Sequence, residues 1–371
     1  MARAGAGWTG VRVFALVVGV VLIIVAAVVV TKYRGGAAGG CVSPVAVRGV
    51  IGSEKEPFFD DDRVTARLEC LGYAVEADSR GSREMLDSLA RGDNGYGFAF
   101  PSSTPTAQKI MRTLDVAERM PLFSTPMAVA TFRPIVAVLT RAGVVRKASD
   151  GTDVLDIAAL LDLARRGVTW DQLKGNVEYP ARKTVLLSTT DPQDSSSAIM
   201  YLSIASQVAN GGAIVTTAAQ TEKVLPDLCR LVFDQGDKPE TSQVLFDNYV
   251  VDGMGRTPMA LVYEAQYDTT APAPALGADN VLIYPRPTVY SRHTLIPFTP
   301  EGRGVGQALR DDPELVRLAQ EHGFRPEKAA GQQAAKRARP VDVVESPSFE
   351  VLETMLSALA PTAQNAARCA Q

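Results

Sequence analysis

Thr184-Val185-Leu186-Leu187-Ser188-Thr189-Thr190-Asp191-Pro192-Gln193-Asp194-Ser195-Ser196-Ser197-Ala198-Ile199-Met200-Tyr201-Leu202 is the stretch on which the fold turns. Its first five residues form a β-rich run. From Ala198 a helical stripe follows, carried by Ala198, Leu202, Ala205 and Ala209, and Asn210-Gly211-Gly212 supplies a stop. The stretch therefore reads as strand, hydroxyl-rich loop and helix start. A helix start offers unpaired N–H groups and the positive end of a dipole, and hydroxyls add donors that rotate to suit a ligand. Two readings stand side by side: a cradle for a small polar or anionic group, or a helix capped by Asp194 or Ser195 with its other serines in solvent.

Working outward, the same grammar recurs. Val45–Ile51 runs into Gly52-Ser53-Glu54-Lys55 and a helix over about 58–71. Tyr73–Ala77 runs into Ser79–Arg83 and a helix over about 83–91. Gly95–Phe100 runs into Pro101-Ser102-Ser103-Thr104 and a helix over about 105–112. Alternation of this kind predicts βαβ units and a parallel sheet, whose ligands bind beyond the carboxyl ends of the strands. Ser53, Ser82, Ser102 and Ser103 stand at three such ends, and the opening stretch makes a fourth. Met127–Phe132 and Ile135–Thr140 are expected as two further strands, 154–166 as an amphipathic helix and 170–173 as the start of a shorter one. Thr257–Ala265 reads as a strand on which Glu264 and Gln266 face the same way, and 281–285 and 288–295 as later strands. Helices follow at 309–322 and 348–359, with a polar, mobile stretch expected at 326–341.

Composition limits the function classes. The 371 residues are 46% hydrophobic and 21% charged with net charge −3, so one large or two medium domains are expected and no basic field for nucleic acid is present. Two histidines, His293 and His322, argue against a histidine-based metal site. A hydrolase would need a nucleophile and a base. No Gly-x-Ser-x-Gly elbow occurs, and only His293, or Glu54 with Asp191, could serve as base or acid.

Val13–Val30 is an uncharged apolar run long enough to span a bilayer, with Lys32, Tyr33 and Arg34 directly behind it. A cleaved signal has a shorter apolar region, so a retained anchor at 13–32 is expected, with 1–12 inside the cell and the main domain outside. Gly39-Gly40-Cys41 is the competing mark of a lipoprotein, but the apolar run ends too early for it. Four cysteines at no metal spacing suit an oxidising compartment. If 45–51 and 73–77 are parallel neighbours, Cys41 and Cys70 meet at one sheet end, which leaves Cys229 and Cys369 as a second pair.

These segments resemble the type II periplasmic binding proteins, the solute-binding components of ABC importers, and most closely the molybdate and sulfate binders. The resemblance lies in Gly52-Ser53-Glu54-Lys55, Gly81-Ser82, Asp191-Pro192 through Ser197, Val262-Tyr263-Glu264-Ala265-Gln266, and Leu318–Arg325 with its Gly-Phe-Arg end. It covers roughly 45–325. It departs where Ala198 replaces a frequent glycine. The resemblance implies an α/β, two-lobe type II (Venus-flytrap) fold after one N-terminal transmembrane helix. Lobe one would be 41–130 plus 290–371 and lobe two 131–289, with hinge strands near 127–139, 257–265 and 288–295. Ligand would contact Ser53, Lys55, Ser82, Arg83, Ser102, Ser103, Asp191, Ser195, Ser196, Ser197, Tyr263 and Glu264. No cofactor, metal or catalytic residue is implied. The partners would be a small polar or anionic ligand and a membrane permease. Glu54, Asp191, Asp194 and Glu264 count against a simple oxyanion. A sensory or protein-interaction module on the same fold is the alternative function.

Overall fold

The computed structural model describes residues 40–92, 95–236, 238–269, 276–327, 342–360, 362, 365 and 369, with only the backbone of 82 and 83. The expected anchor at 13–32, the 271–275 loop and 328–341 lie outside this set. Among the described residues no helix is long and apolar enough to cross a membrane.

Strands β1 (Val45–Gly52), β2 (Tyr73–Arg80) and β3 (Phe98–Phe100) pair in parallel with β1 in the middle. Helices α2 (Asp62–Cys70) and α3 (Ser82–Arg91) make the crossovers, and a short helix α1 (Glu56–Phe59) precedes α2. The single helix expected over 58–71 is broken because Asp61 caps a new start, its side chain accepting from Arg63 N. Parallel pairing from Val45↔Tyr73 brings the preceding residues together, and Cys41 is bonded to Cys70.

Strand β4 (Met120–Phe132) joins two sheet regions. Its first half pairs with β9 (Tyr290–Pro297) and β10 (Arg325–Pro326), and its second half with β7 (Met259–Tyr263) and β8 (Asn280–Arg286). Met127–Ala130 are fully buried, which is why this run shows no polar alternation. Ile135–Thr140, expected as a strand, belongs instead to helix α5 (Arg133–Arg141). Pro134 sits in its first turn, and Ile135, Val138 and Leu139 are buried at helical spacing.

Four other expectations are corrected. The helix at 154–166 begins later: β6 (Asp153–Asp156) pairs with β8 and with β5 (Val145–Lys147), and α6 is Ile157–Arg165. Residues 184–188, expected as a strand, form no ladder and pair only at their ends: Thr184 bridges Thr169, flanked by the Val185 N–Val168 O and Trp170 N–Lys183 O bonds, and Ser188 bridges Ala260. The strand at 257–265 stops at Tyr263, and Glu264 opens a short helix α10 (Glu264–Asp268), so Glu264 and Gln266 do not alternate on a strand. The helix at 309–322 is two, α11 (Pro300–Asp311) and α12 (Pro313–Glu321), split by Asp312 acting as N-cap before Pro313.

Three clusters of buried apolar side chains result. The largest takes residues 127–289 and includes most of α7 (Ser196–Ala209), α8 (Ala218–Phe233) and α9 (Ser242–Arg256). The other two lie on the two faces of the β1–β3 region, with contributions from α4 (Thr104–Thr113), β9, α11 and α12. The closing helix α13 (Phe349–Ala358), expected with the first lobe, packs into the largest cluster through Leu352, Met355 and Leu356. Cys369 bonds Cys229 of α8 and so joins the elements around the largest cluster, the second half of the molecule, the first half being the elements around the other two clusters.

Candidate functional site

Four helices of both halves start facing one another. In the first half, Gly81 precedes α3 and Ser103 caps α4 by accepting from Thr106 N at 3.3 Å. In the second, Ser195 caps α7 and Thr241 caps α9. The hydroxyls meet across the junction. Ser53 and Ser242 lie Oγ to Oγ at 3.2 Å, and Ser196 donates to Ser103 at 3.3 Å. Behind them Ser197 bonds Thr190 at 2.7 Å and Ser195 at 3.0 Å. Gly81 permits a closer approach still: a Cβ there would lie 2.8 Å from the carbonyl oxygen of Asp194. Dipole ends and rotatable donors from both halves thus converge on one region, a chemistry that suits a small polar or anionic guest.

Beneath this surface lies a buried ionic network. Lys55 is wholly buried and sits over the Phe100 ring. Its Nζ donates to Glu54 Oε1, to Ser102 Oγ at 3.2 Å and to His293 Nδ1 at 3.1 Å. Ser102 also donates to Glu54 at 2.6 Å. Ser291 gives its proton to the Ser102 carbonyl, so its oxygen accepts from His293 Nε2 at 2.9 Å and Nδ1 is left as the acceptor facing Lys55. Nδ1 also lies 3.2 Å from Glu54 Oε1. Burial, then the Lys55 charge, push the His293 pKa down to about 4. Burial raises Glu54, but the charged Lys55 beside it opposes this, and the carboxyl is held well below its usual range. Burial likewise pulls Lys55 down while Glu54 opposes it. Tyr263, fully buried against the His293 ring, is pushed well up by burial and then by Glu54.

The expected site residues divide accordingly. Ser53, Ser103, Ser195, Ser196 and Ser197 stand at the junction. Lys55, Ser102 and Tyr263 belong to the network that supports it. Ser82 and Arg83 open α3 beside the Gly81 contact. Asp191 holds its own loop, accepting from Gln193 N at 2.8 Å and pairing with Lys238 at 3.4 Å. Glu264 is buried under the crossing strands, where it pairs with Arg325 at 2.6 Å and accepts from Tyr284. Three of the four acidic residues counted against an anion therefore carry cations of their own: Lys55 on Glu54, Lys238 on Asp191, Arg325 on Glu264.

Sequence reasoning missed Ser242, Thr106 and Ser291. Thr241-Ser242 ahead of α9 was a legible capping signal of the same kind as the others. His293 does come round in space, but to Ser291 and Lys55 and not to the 195–197 serines. Among the described residues no cluster suited to a metal ion occurs.

No protein-family model and no curated protein matches the chain. Solved structures do. The sulfate-binding protein SubI from Mycobacterium tuberculosis H37Rv superposes with a TM-score of 0.55 at 15% identity, over 83% of this chain and 96% of that one. A periplasmic thiamin binding protein gives 0.54 at 9% identity, over 85% and 97%. Iron-bound HitA from Pseudomonas aeruginosa gives 0.52 at 11% identity, over 88% and 99%. At these identities the likeness is one of architecture, and the architecture is that of the type II periplasmic binding proteins.

Proposed function

We propose that this chain is a solute-binding protein that captures a small polar or anionic ligand between its two halves and passes it to an ABC-type importer. The observation that carries this reading is the meeting of Ser53 with Ser242 and of Ser103 with Ser196, hydroxyls from opposite halves of which Ser103, Ser196 and Ser242 stand at helix starts. Those donors engage a guest together only when the halves close, which gives the ligand the differential affinity that ligand-driven closure needs. Solved proteins of this architecture bind sulfate, thiamin and iron by their names, which supports a small solute here. The apolar run at 13–30 supports a tether with the N-terminus inside the cell, and the two disulfides fit an outside location for the folded part.

A thermal-shift screen of the full chain in detergent, with oxyanions, sugars and amino acids, tests the reading. A true ligand at a hundred times its Kd adds about 2.7 kcal/mol of stability. Ser53→Ala and Ser196→Ala should each weaken that ligand roughly fivefold, the equivalent of about 1 kcal/mol per hydrogen bond. If neither does, the ligand does not bind at this junction. The second reading, a sensory or interaction module without transport, draws on the same direct hydroxyl contacts, which hold the two halves to each other. Silence across the whole screen would favour it.

A further inference from the structure

The last described segment supplies a third wall between the two halves. Residues 342–348 run beside the β8–β9 connection: Thr288 N donates to Asp342 O at 2.9 Å and Val344 N to Thr288 O at 2.8 Å. Helix α13 then enters the core of the second half while its first residues reach the first, with Phe349 under Lys109 and Glu350 on Arg112. A cavity of about 310 Å³ lies under this strap. Its walls include Ser103 and Gln108 from the first half, Met200 from the second, Arg292 from β9, and Glu345 and Ser346 from the strap. Small-molecule sites begin at about 300 Å³. A water molecule's share of liquid volume is about 30 Å³, so a bare tetrahedral oxyanion would fill a small part of this space.

Arg292 gives the cavity its charge. Alternation along β9 puts Ser291 and His293 into the buried network and Arg292 on the opposite face. Its one ion pair among the described residues is with Glu345 at 3.9 Å, and the two side chains are 60% and 78% exposed. A pair that long and that exposed is weak. A phosphate or carboxylate on a small molecule can take the guanidinium bidentately, which Glu345 at this distance does not. Ser103 lines the cavity and also accepts from Ser196, so an occupant would lie directly beside the junction.

We propose that this strap-walled cavity binds a small organic anion, with its phosphate or carboxylate on Arg292, its body against Met200 and Ser103, and Glu345 displaced. The proposal rests on the solute-binding reading and adds the ligand class and the cation, Arg292, that would hold it. The test is calorimetric titration of the full chain in detergent with glucose 6-phosphate, succinate, sulfate and uncharged glucose. At least one of the two organic anions should bind. Arg292→Gln should weaken it about tenfold, Arg292→Lys less, and Glu345→Gln should tighten it several-fold. Failure of both organic anions to bind overturns the inference, and sulfate or glucose binding lost in Ser53→Ala would then still uphold the solute-binding reading. An organic anion that binds equally well to Arg292→Gln and Glu345→Gln, but not to Ser196→Ala, also overturns it and places the ligand at the junction.

Discussion

At the residue scale the informative group is Lys55. A lysine in a strand-end loop is ordinarily a solvent-facing side chain, yet here it is wholly buried and shared among Glu54, Ser102 and His293. Removing one member of a buried pair leaves the other uncompensated, which costs about 3–5 kcal/mol. Lys55→Met should lose that much in urea unfolding, and Glu54→Gln in the same chain should recover a good part of it. Unchanged stability in the single variant would show that the network does not hold the 52–55 loop. His293 makes a separate prediction. The unfolded chain takes up its proton near pH 6.5 and the folded chain near 4, so between these values the unfolded state binds more protons. The stability due to neutral His293 is complete above about 6.5 and is lost as pH falls toward 4. The loss over that window is roughly 3 kcal/mol. Urea melts at several pH values should show it, and His293→Gln should flatten the slope. Below this window Glu54 acts in the same direction, because its folded pKa is depressed and its contribution disappears on protonation.

At the scale of elements, the candidate site depends on how closely one loop meets a helix start in the other half. Gly81 has an ordinary φ of −65°, so its value lies in the space beside it. The Asp194 carbonyl, 2.8 Å from an added Cβ, is backbone and has little room to move, and Glu240 O is 3.6 Å away. Gly81→Val should therefore cost about 1–3 kcal/mol by overpacking and should weaken any ligand of the junction. Gly255→Ala is the contrast: nothing lies within 4 Å of the added carbon, so the change should stay within about 0.5 kcal/mol. Equal effects of the two substitutions in chemical denaturation would remove the steric argument.

For the whole molecule, the chain end is the unexpected component. It crosses the junction, enters the second core and is bonded to α8 through Cys369 and Cys229, which are 140 residues apart in sequence. Closing so long a loop restricts the unfolded chain, and losing such a bridge typically costs about 2–5 kcal/mol. The double variant Cys229→Ser/Cys369→Ser should melt roughly 5–10 °C lower in calorimetry. An unchanged midpoint would mean that α13 is held by its apolar contacts alone. Cys41–Cys70 spans only 29 residues, and its loss should matter less on the same entropic ground.

The sequence alone determined the local grammar. Strand followed by hydroxyl loop and helix start was legible at 45–55, 73–83 and 98–104, and the hydroxyl loop and helix start at 189–197, because capping and periodicity are short-range effects that a single chain displays. Parallel neighbours at 45–51 and 73–77 were enough to bring Cys41 and Cys70 together. Tertiary structure decided what those local signals could not carry. It made a helix of Ile135–Thr140, whose β-branched composition read as strand, because burying one stripe against the second core outweighs intrinsic preference. It joined α13 to the second half, since an amphipathic face does not name its partner. It also decided the charges. Asp191 turned to Lys238, Glu264 to Arg325 and Lys55 to Glu54, pairings between residues up to 61 positions apart that no spacing rule connects. The 184–197 stretch thus announced a helix start, and only its apposition to Ser103 and Gly81 across the junction made that start one side of a candidate site.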